Sequence, residues 1–273
     1  MSSASILTIV HKRRKALINL LQGLQRSSVP PSEVVIVYMN EEPYDLPAFE
    51  FPVVGYQISG DGHLPLAEAR NLAAVSANYN QLIFLDVDCI PGQNLIQSYL
   101  SAFEKRDILW AGQVRYLHKG AADDPLVFEN LHAWSIPDAI RTSLTAMTYE
   151  LFWSLNFGCS KQVFDQIGGF DADFRGYGAE DTDFSFNAKK NGVEIDLIDT
   201  FAYHQYHDSY SPPLNHLNDI VANALKFRNK WGVWPMRGWL QKFADGNFVE
   251  WTATELRVLK QPTATDLAET LKS

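Results

Sequence analysis

The chain is poor in cysteine. Its 273 residues contain only Cys89 and Cys159, which make no Cys-x-x-Cys pair, so neither a zinc site nor a disulfide framework is suggested and a reducing compartment is expected. It also lacks a long apolar run. Residues 1–10 are apolar but too short for a signal segment with a cleavage site, and nothing approaches the roughly 20 apolar residues of a membrane span. A cytoplasmic protein, at most peripheral at a membrane and with no integral segment, is the expectation. Basic charge is scarce as well. With 23 Lys and Arg against 32 Asp and Glu, the net charge is −9 and no dense cationic patch is available for a nucleic-acid backbone. Any phosphate the protein binds must be neutralised locally. No glycine lies between Ile6 and Arg14, and no repeat or low-complexity tract interrupts the chain.

What is present is an alternation of strand and helix patterns. Ile6–Val10 and Val34–Tyr38 are β-branched runs, and between them Leu17, Leu20, Leu21 and Leu24 recur at helical spacing. Val53–Ile58 reads as a strand, Leu66–Tyr79 as an Ala-rich helix, Leu82–Leu85 and Trp110–Tyr116 as further strands. Breakers at Asp123-Asp124-Pro125 and Ile136-Pro137 make 117–156 a mixed region of helix and loop. Lys161–Ile167 and Glu180–Asn191 read as helices closed by Gly168 and Gly192, followed by a strand over Val193–Ile198 and an amphipathic helix over Asn215–Trp231. This order predicts an α/β fold, a mainly parallel sheet flanked by helices, with a helical C-terminal elaboration. Trp231, Trp234, Met236 and Trp239 are expected to pack as core for that elaboration, and His216 to lie on a solvated helix face.

Leu82-Ile83-Phe84-Leu85-Asp86-Val87-Asp88 is the most informative stretch. On a strand, Asp86 and Asp88 would point the same way, and two same-facing carboxylates repel unless a cation sits between them. A hard divalent ion suits such oxygen ligands. Arg70 and Asn71 come shortly before, the first with a donor fork suited to phosphate and the second able to read a base or ribose edge.

Leu66–Pro91, with Ala69-Arg70-Asn71, an apolar strand and Asp86-x-Asp88, resembles the nucleotide-sugar-binding core of the metal-dependent GT-A glycosyltransferases, particularly the inverting family 2. Asn156–Cys159, Gly168–Asp171 and Gly176-Tyr177-Gly178-Ala179-Glu180-Asp181-Thr182-Asp183 are similar to the acceptor-side motif of the β-1,4-galactosyltransferases and the bacterial chondroitin-type polymerases. The resemblance implies a Rossmann-like catalytic domain over 1–210, its nucleotide-sugar half at 1–116 and acceptor half at 117–210, with 211–273 as a C-terminal extension packed on it. It implies a hexose, of galactose or N-acetylhexosamine type, moved with inversion from a nucleoside diphosphate, UDP first, to a saccharide or glycan-intermediate hydroxyl. By the same resemblance, Asp88 and His204, with Asp86 in the shell, ligate Mn²⁺ (or Mg²⁺). Asp181 is the general base and Glu180 holds donor or acceptor. Arg70, Asn71, Asp86, Arg13, Asn40 and Tyr177 serve the donor. His207 rivals His204 as the ligand. The alternatives are a sugar-nucleotide pyrophosphorylase-like enzyme, which ordinarily uses a Gly-rich N-terminal loop, and an inactive sugar-nucleotide-binding module.

Overall fold

The computed structural model describes residues 3–142 and 144–272. Strand β1 (Ala4–Val10), helix α1 (Arg14–Gln25), β2 (Glu33–Met39), β3 (Val53–Ile58), α2 (Leu66–Ser76) and β4 (Gln81–Leu85) open the chain. Next come β5 (Cys89–Pro91), α3 (Leu95–Phe103), β6 (Leu109–Leu117), β7 (Ser135–Pro137), β8 (Asn156–Ser160), α4 (Lys161–Ile167), α5 (Glu180–Lys190) and β9 (Ile195–His204). The large sheet runs β3-β2-β1-β4-β8-β6-β9-β5, with β7 on β6. Its first four strands are parallel, as the alternation predicts. Beyond β4 the sheet is mixed: β8 runs antiparallel to β4 and β6, and β5 antiparallel to β9, while β6 and β9 are parallel. Parallel pairing therefore holds for β3-β2-β1-β4 and for β6 with β9, and antiparallel pairing joins the rest.

Alternation along the strands builds two apolar layers. Ile6, Val10, Val34, Ile36, Ile83 and Leu85 face one side with Leu17, Leu20 and Leu24 of α1 and Leu95 and Tyr99 of α3. Leu7, Ile9, Val35, Val37, Leu82 and Phe84 face the other, against Ala69 and Ala73 of α2, Phe164 of α4 and Phe184 of α5. On that second face Phe84 stacks on Phe157 with ring centres 4.4 Å apart, and Phe170 on Phe184 at 4.3 Å. Cys89 and Cys159 are free and buried in these layers.

The C-terminal part is β10 (Ser209–Tyr210), α6 (Leu217–Trp231), α7 (Arg237–Asp245), a hairpin of β11 (Val249–Trp251) and β12 (Leu256–Val258), α8 (Ala264–Thr270) and β13 (Leu271–Lys272), which pairs with β10. It has its own apolar cluster, with Ile220, Leu240 and Phe243 fully buried and Trp234, Met236 and Trp239 packed against them, as expected of that aromatic group. Among the described residues, no helix is long and apolar enough to cross a membrane.

Asp183 ties this part to the sheet. Its carboxylate, with no exposed surface, accepts hydrogen bonds from Trp231 Nε1 at 2.6 Å, Lys230 Nζ at 2.9 Å and Asn187 Nδ2 at 3.0 Å. Lys230 also reaches Asp171 at 2.8 Å. Asp183→Ala strands the Trp231 indole N–H and leaves Lys230 with Asp171 as its one remaining acid, so it is expected to cost about 2–3 kcal/mol of stability. Trp231→Phe, which removes one donor, should cost about 1 kcal/mol. Denaturant midpoints at constant slope measure both.

Candidate active site

The two aspartates do not continue β4. The strand ends at Leu85, and Asp86-Val87-Asp88 forms a turn in which Cys89 N–H donates to Asp86 O at 2.8 Å and Asp88 N–H donates to Asp86 Oδ1 at 2.9 Å. Alternation is thus not what orients them. The turn puts Asp86 to work on the backbone and leaves the Asp88 side chain turned to the next elements. β5 then pairs antiparallel with β9 in a register that sets Cys89 opposite His204, while Gln205 N–H donates to Asp88 O at 2.7 Å. That register carries His204 from 116 residues away to the side of Asp88.

Asp88, His204 and His207 each offer one ligand atom, and all three atoms lie within 4.8 Å of one another. Both candidate histidines therefore come to the side of Asp88. Asp86 stands outside this group, with its Oδ1 accepting from the Asp88 amide, yet its charge still acts on Asp88 and His204. Burial, and then the Asp86 charge, push the Asp88 carboxyl up, against the opposing pull of Arg13. Arg13 supplies the cation beside it: Nη2 and Nε reach Asp88 Oδ2 at 2.7 and 3.2 Å. Burial lowers the His204 pKa, so the ring is held neutral, the form that can coordinate. A carboxylate with two imidazoles is a donor set that fits Mn²⁺ and other borderline divalent ions. Behind it, Gln205, 4% exposed, accepts from Asn19 Nδ2 at 2.7 Å and donates to Ala16 O at 3.0 Å, which fixes α1 against the His204–His207 segment. Neither Asn19 nor Gln205 was legible as part of a site, since each is an isolated amide in its own element.

The second acidic group begins α5. Gly176 and Gly178 have φ of +67° and +102°, and a Cβ on Gly176 would lie 2.3 Å from Asp219 Oδ2, so the Gly-Tyr-Gly pattern is a requirement of the turn. It sets Tyr177 against His216, stacked at 4.5 Å, and Trp239 at 5.8 Å. His216 is accordingly a packed partner, correcting the solvated-face expectation. Glu180, 6% exposed, accepts from Arg70 Nη1 at 3.1 Å, and its Oε2 is buried without a partner. Asp181 accepts from the Thr182 amide at 2.7 Å through Oδ1. Burial first, then the neighbouring Glu180 charge, raise the Asp181 pKa to about 7, against Arg70 and the Thr182 amide. Burial of its hydroxyl end, and then the charges of Glu180, Asp181 and Asp86, push the Tyr177 phenol up as well. One tyrosine thus feels charge from both acidic groups, so the two lie on the same side of the molecule as its hydroxyl.

The remaining expected donor residues lie elsewhere in this frame. Arg70 is committed to Glu180 and lies 5.1 Å from the Phe170 ring. The Asn71 amide bonds both Phe170 O and Phe170 N–H, at 2.7 and 2.8 Å, so it braces α2 against the loop after α4, where the sequence suggests a base or ribose contact. Asn40, at φ +54°, holds Gly60 N–H and His63 O and is likewise a loop brace.

With this geometry in hand, the likenesses to known proteins become informative. Residues 139–210 match the family model described as the N-terminal domain of galactosyltransferase. The chain is 27% identical over 201 residues to a chondroitin synthase of Pasteurella multocida (strain Pm70), an alignment covering 63% of this chain and 20% of that protein. It spans less than half the length of the curated relatives it matches. Staphylococcus aureus TarS 1–349 in complex with UDP-GlcNAc superposes with a TM-score of 0.56 at 13% identity, over 83% of this chain and 67% of that one. GalNAc-T7 with UDP, GalNAc and Mn²⁺ superposes with a TM-score of 0.55 at 14% identity, over 90% and 57%. The chain has the GT-A fold, and its sequence relatives are glycosyltransferases.

Proposed function

We propose that the chain is an inverting, metal-dependent glycosyltransferase of family 2 type that moves a hexose, of galactose or N-acetylhexosamine type, from a UDP-linked donor to a hydroxyl on a saccharide or glycan intermediate. The observation that carries this reading is the cluster of Asp88 with His204 and His207, whose ligand atoms lie within 4.8 Å of one another, together with the buried Arg70–Glu180 pair beside Asp181 at the start of α5. The TarS and GalNAc-T7 complexes with UDP and UDP-GlcNAc support the donor class.

In this reading Asp88, His204 and His207 hold Mn²⁺ (or Mg²⁺). A divalent cation held by these residues would supply the charge that offsets the negative charge collecting on a departing diphosphate. Asp181 takes the proton of the acceptor hydroxyl as that oxygen bonds to the anomeric carbon and the bond to the diphosphate oxygen breaks on the opposite face. A single base suffices for such an inversion. Glu180, clamped by Arg70, offers its unpartnered Oε2 to a sugar hydroxyl, since a buried carboxylate oxygen is costly to leave without a donor. Tyr177 lines the crevice mouth, and Asn71 and Asn40 position the loops around it. Residues 1–210 would form the catalytic unit and 211–273 its extension. A cytoplasmic location suits the two free, buried thiols.

Thermal melts of the wild-type protein test the reading. A UDP-sugar at 100 times its dissociation constant adds roughly 2.7 kcal/mol of stability, so Mn²⁺ with the right member of a UDP-sugar panel should raise the melting temperature by several degrees. The rise should vanish with a chelator. An identical rise in the chelator, or none with any nucleotide, contradicts it. An inactive binding module would show the stabilisation without turnover.

A further inference from the structure

Arg141 is not used by the account above. It lies in the stretch after β7, where Asp138 Oδ1 accepts from the Ile140 and Arg141 amides, both at 2.8 Å, and Thr142 N–H donates to Asp138 O at 3.1 Å. This turn fixes the arginine backbone. The side chain is 9% exposed. The Trp153 ring covers one face of the guanidinium, with Cζ 4.5 Å from the ring centre, and Nε stands 3.4 Å from Asp138 Oδ2 without hydrogen-bond geometry. Nη2 is buried and has no partner among the described residues. Buried donors are almost always paired, and a stray one on a charged group is the more costly.

A run of contacts leads from it toward the cation group. Tyr116 Oη lies 3.4 Å from Asp138 Oδ2, and the Tyr116 ring packs 5.3 Å from that of His204. Arg141 is therefore joined to the cation group through two side chains, Asp138 and Tyr116. The two other arginines there are engaged, Arg13 with Asp88 and Arg70 with Glu180. A planar fork held by an acid on one edge and an aromatic ring on one face is preorganised, so it loses little freedom on meeting a planar or tetrahedral oxyanion.

Resting on the glycosyltransferase reading, we infer that Arg141 is a second anion anchor of this site, its Nη2 donating to an oxyanion of a substrate: the diphosphate of the donor or a carboxylate on the acceptor saccharide. Trp153 and Asp138 act through it as positioning residues.

Calorimetric titration of wild type, Arg141→Gln and Arg141→Lys with UDP and with uridine, all in Mn²⁺, tests the first source. Titration with methyl β-glucuronide and methyl β-glucoside, in UDP and Mn²⁺, tests the second. If the diphosphate is the ligand, Arg141→Gln weakens UDP about tenfold or more and leaves uridine within twofold, as for one charge-assisted hydrogen bond. Arg141→Lys should recover only part of the loss, because it keeps the charge without the fork. If the carboxylate is the ligand, glucuronide binding falls by a similar factor and glucoside binding stays. Either result supports the anchor. Unchanged binding of both UDP and the glucuronide in a folded Arg141→Gln overturns it while leaving the glycosyltransferase reading intact; wild-type protein that binds no UDP in Mn²⁺ overturns both. Should the variants fail to fold, wild-type crystals grown with UDP, Mn²⁺ and the glucuronide decide: a ligand oxygen within about 3.2 Å of Nη2 supports the anchor, and none there overturns it.

Discussion

Asp181→Asn is expected to lower turnover by about 10²–10⁴-fold while UDP binds within twofold of wild type, because the amide keeps the shape of the carboxylate but cannot take a proton. Single-turnover transfer and calorimetry in Mn²⁺ read the two effects separately. The same residue sets the pH profile. Burial and Glu180 favour the protonated form of Asp181 and place its pKa at about 7, so the base is charged and competent above that pH and increasingly protonated below it. With the free enzyme, kcat/KM should therefore fall about tenfold per unit on the acid side of 7 and level off on the alkaline side. A profile already flat down to pH 5 contradicts the assignment of Asp181 as base. Glu180→Gln removes the second contribution to the raised pKa, so its acid limb should move to lower pH; an unmoved limb means that Glu180 has no hold on the base.

The second large effect concerns the opposite wall. Asp88→Ala deletes the carboxylate of the cation group and strands Arg13, and His204→Ala removes the imidazole that the β5–β9 register holds beside it. Each should weaken Mn²⁺ by at least 100-fold, since removing one of three protein ligands costs more than the 10–100-fold typical of a lost supporting contact. Transfer should fall at least as much, with the melting temperature in metal-free buffer nearly unchanged for His204→Ala. Mn²⁺ titration followed by electron paramagnetic resonance reads the affinity. Native affinity in either variant would remove that residue from the cation group.

Much of this was open to reading in the chain. The β1–α1–β2 opening is legible because Ile6–Val10 and Val34–Tyr38 are unbroken apolar runs on either side of a leucine stripe, and both faces of a parallel strand are buried. The middle is harder. β8 is five residues, Asn156–Ser160, with a glycine at its centre, and it became visible as a motif before it could be seen as a strand. β9 runs on to His204, six residues past the strand expected to end at Ile198, because a bulge between Gly112 and Gln113 lets the pair skip Asp199 and Thr200 and resume at Phe201. α3 has no flanking signal strong enough to set it apart from its neighbours.

The site divides the same way. Asp88, His204, Glu180 and Asp181 carry their type and spacing in the sequence, and the fold sets His204 beside Asp88 and Glu180 against Arg70. The roles that depend on three-dimensional neighbours were not legible. Arg13 meets Asp88 across 75 residues, Asn71 and Asn40 turn out to brace loops, His207 lies beside His204 and Asp88, and Arg141 is an ordinary loop arginine until Trp153 and Asp138 close around it. Asp86 shows why a pattern can be right for a reason other than the first one offered: its carboxylate closes the turn that aims Asp88.

The central claim is that the turn after β4 and the end of β9 together hold a divalent cation that serves a sugar nucleotide. Crystals of the wild-type protein grown with MnCl₂ and UDP, measured at the manganese absorption edge, test it most directly. The account predicts one anomalous peak in coordination contact with Asp88, His204 and His207, with diphosphate oxygens completing the shell. Ordered UDP in the crevice with no anomalous peak at those three residues contradicts it.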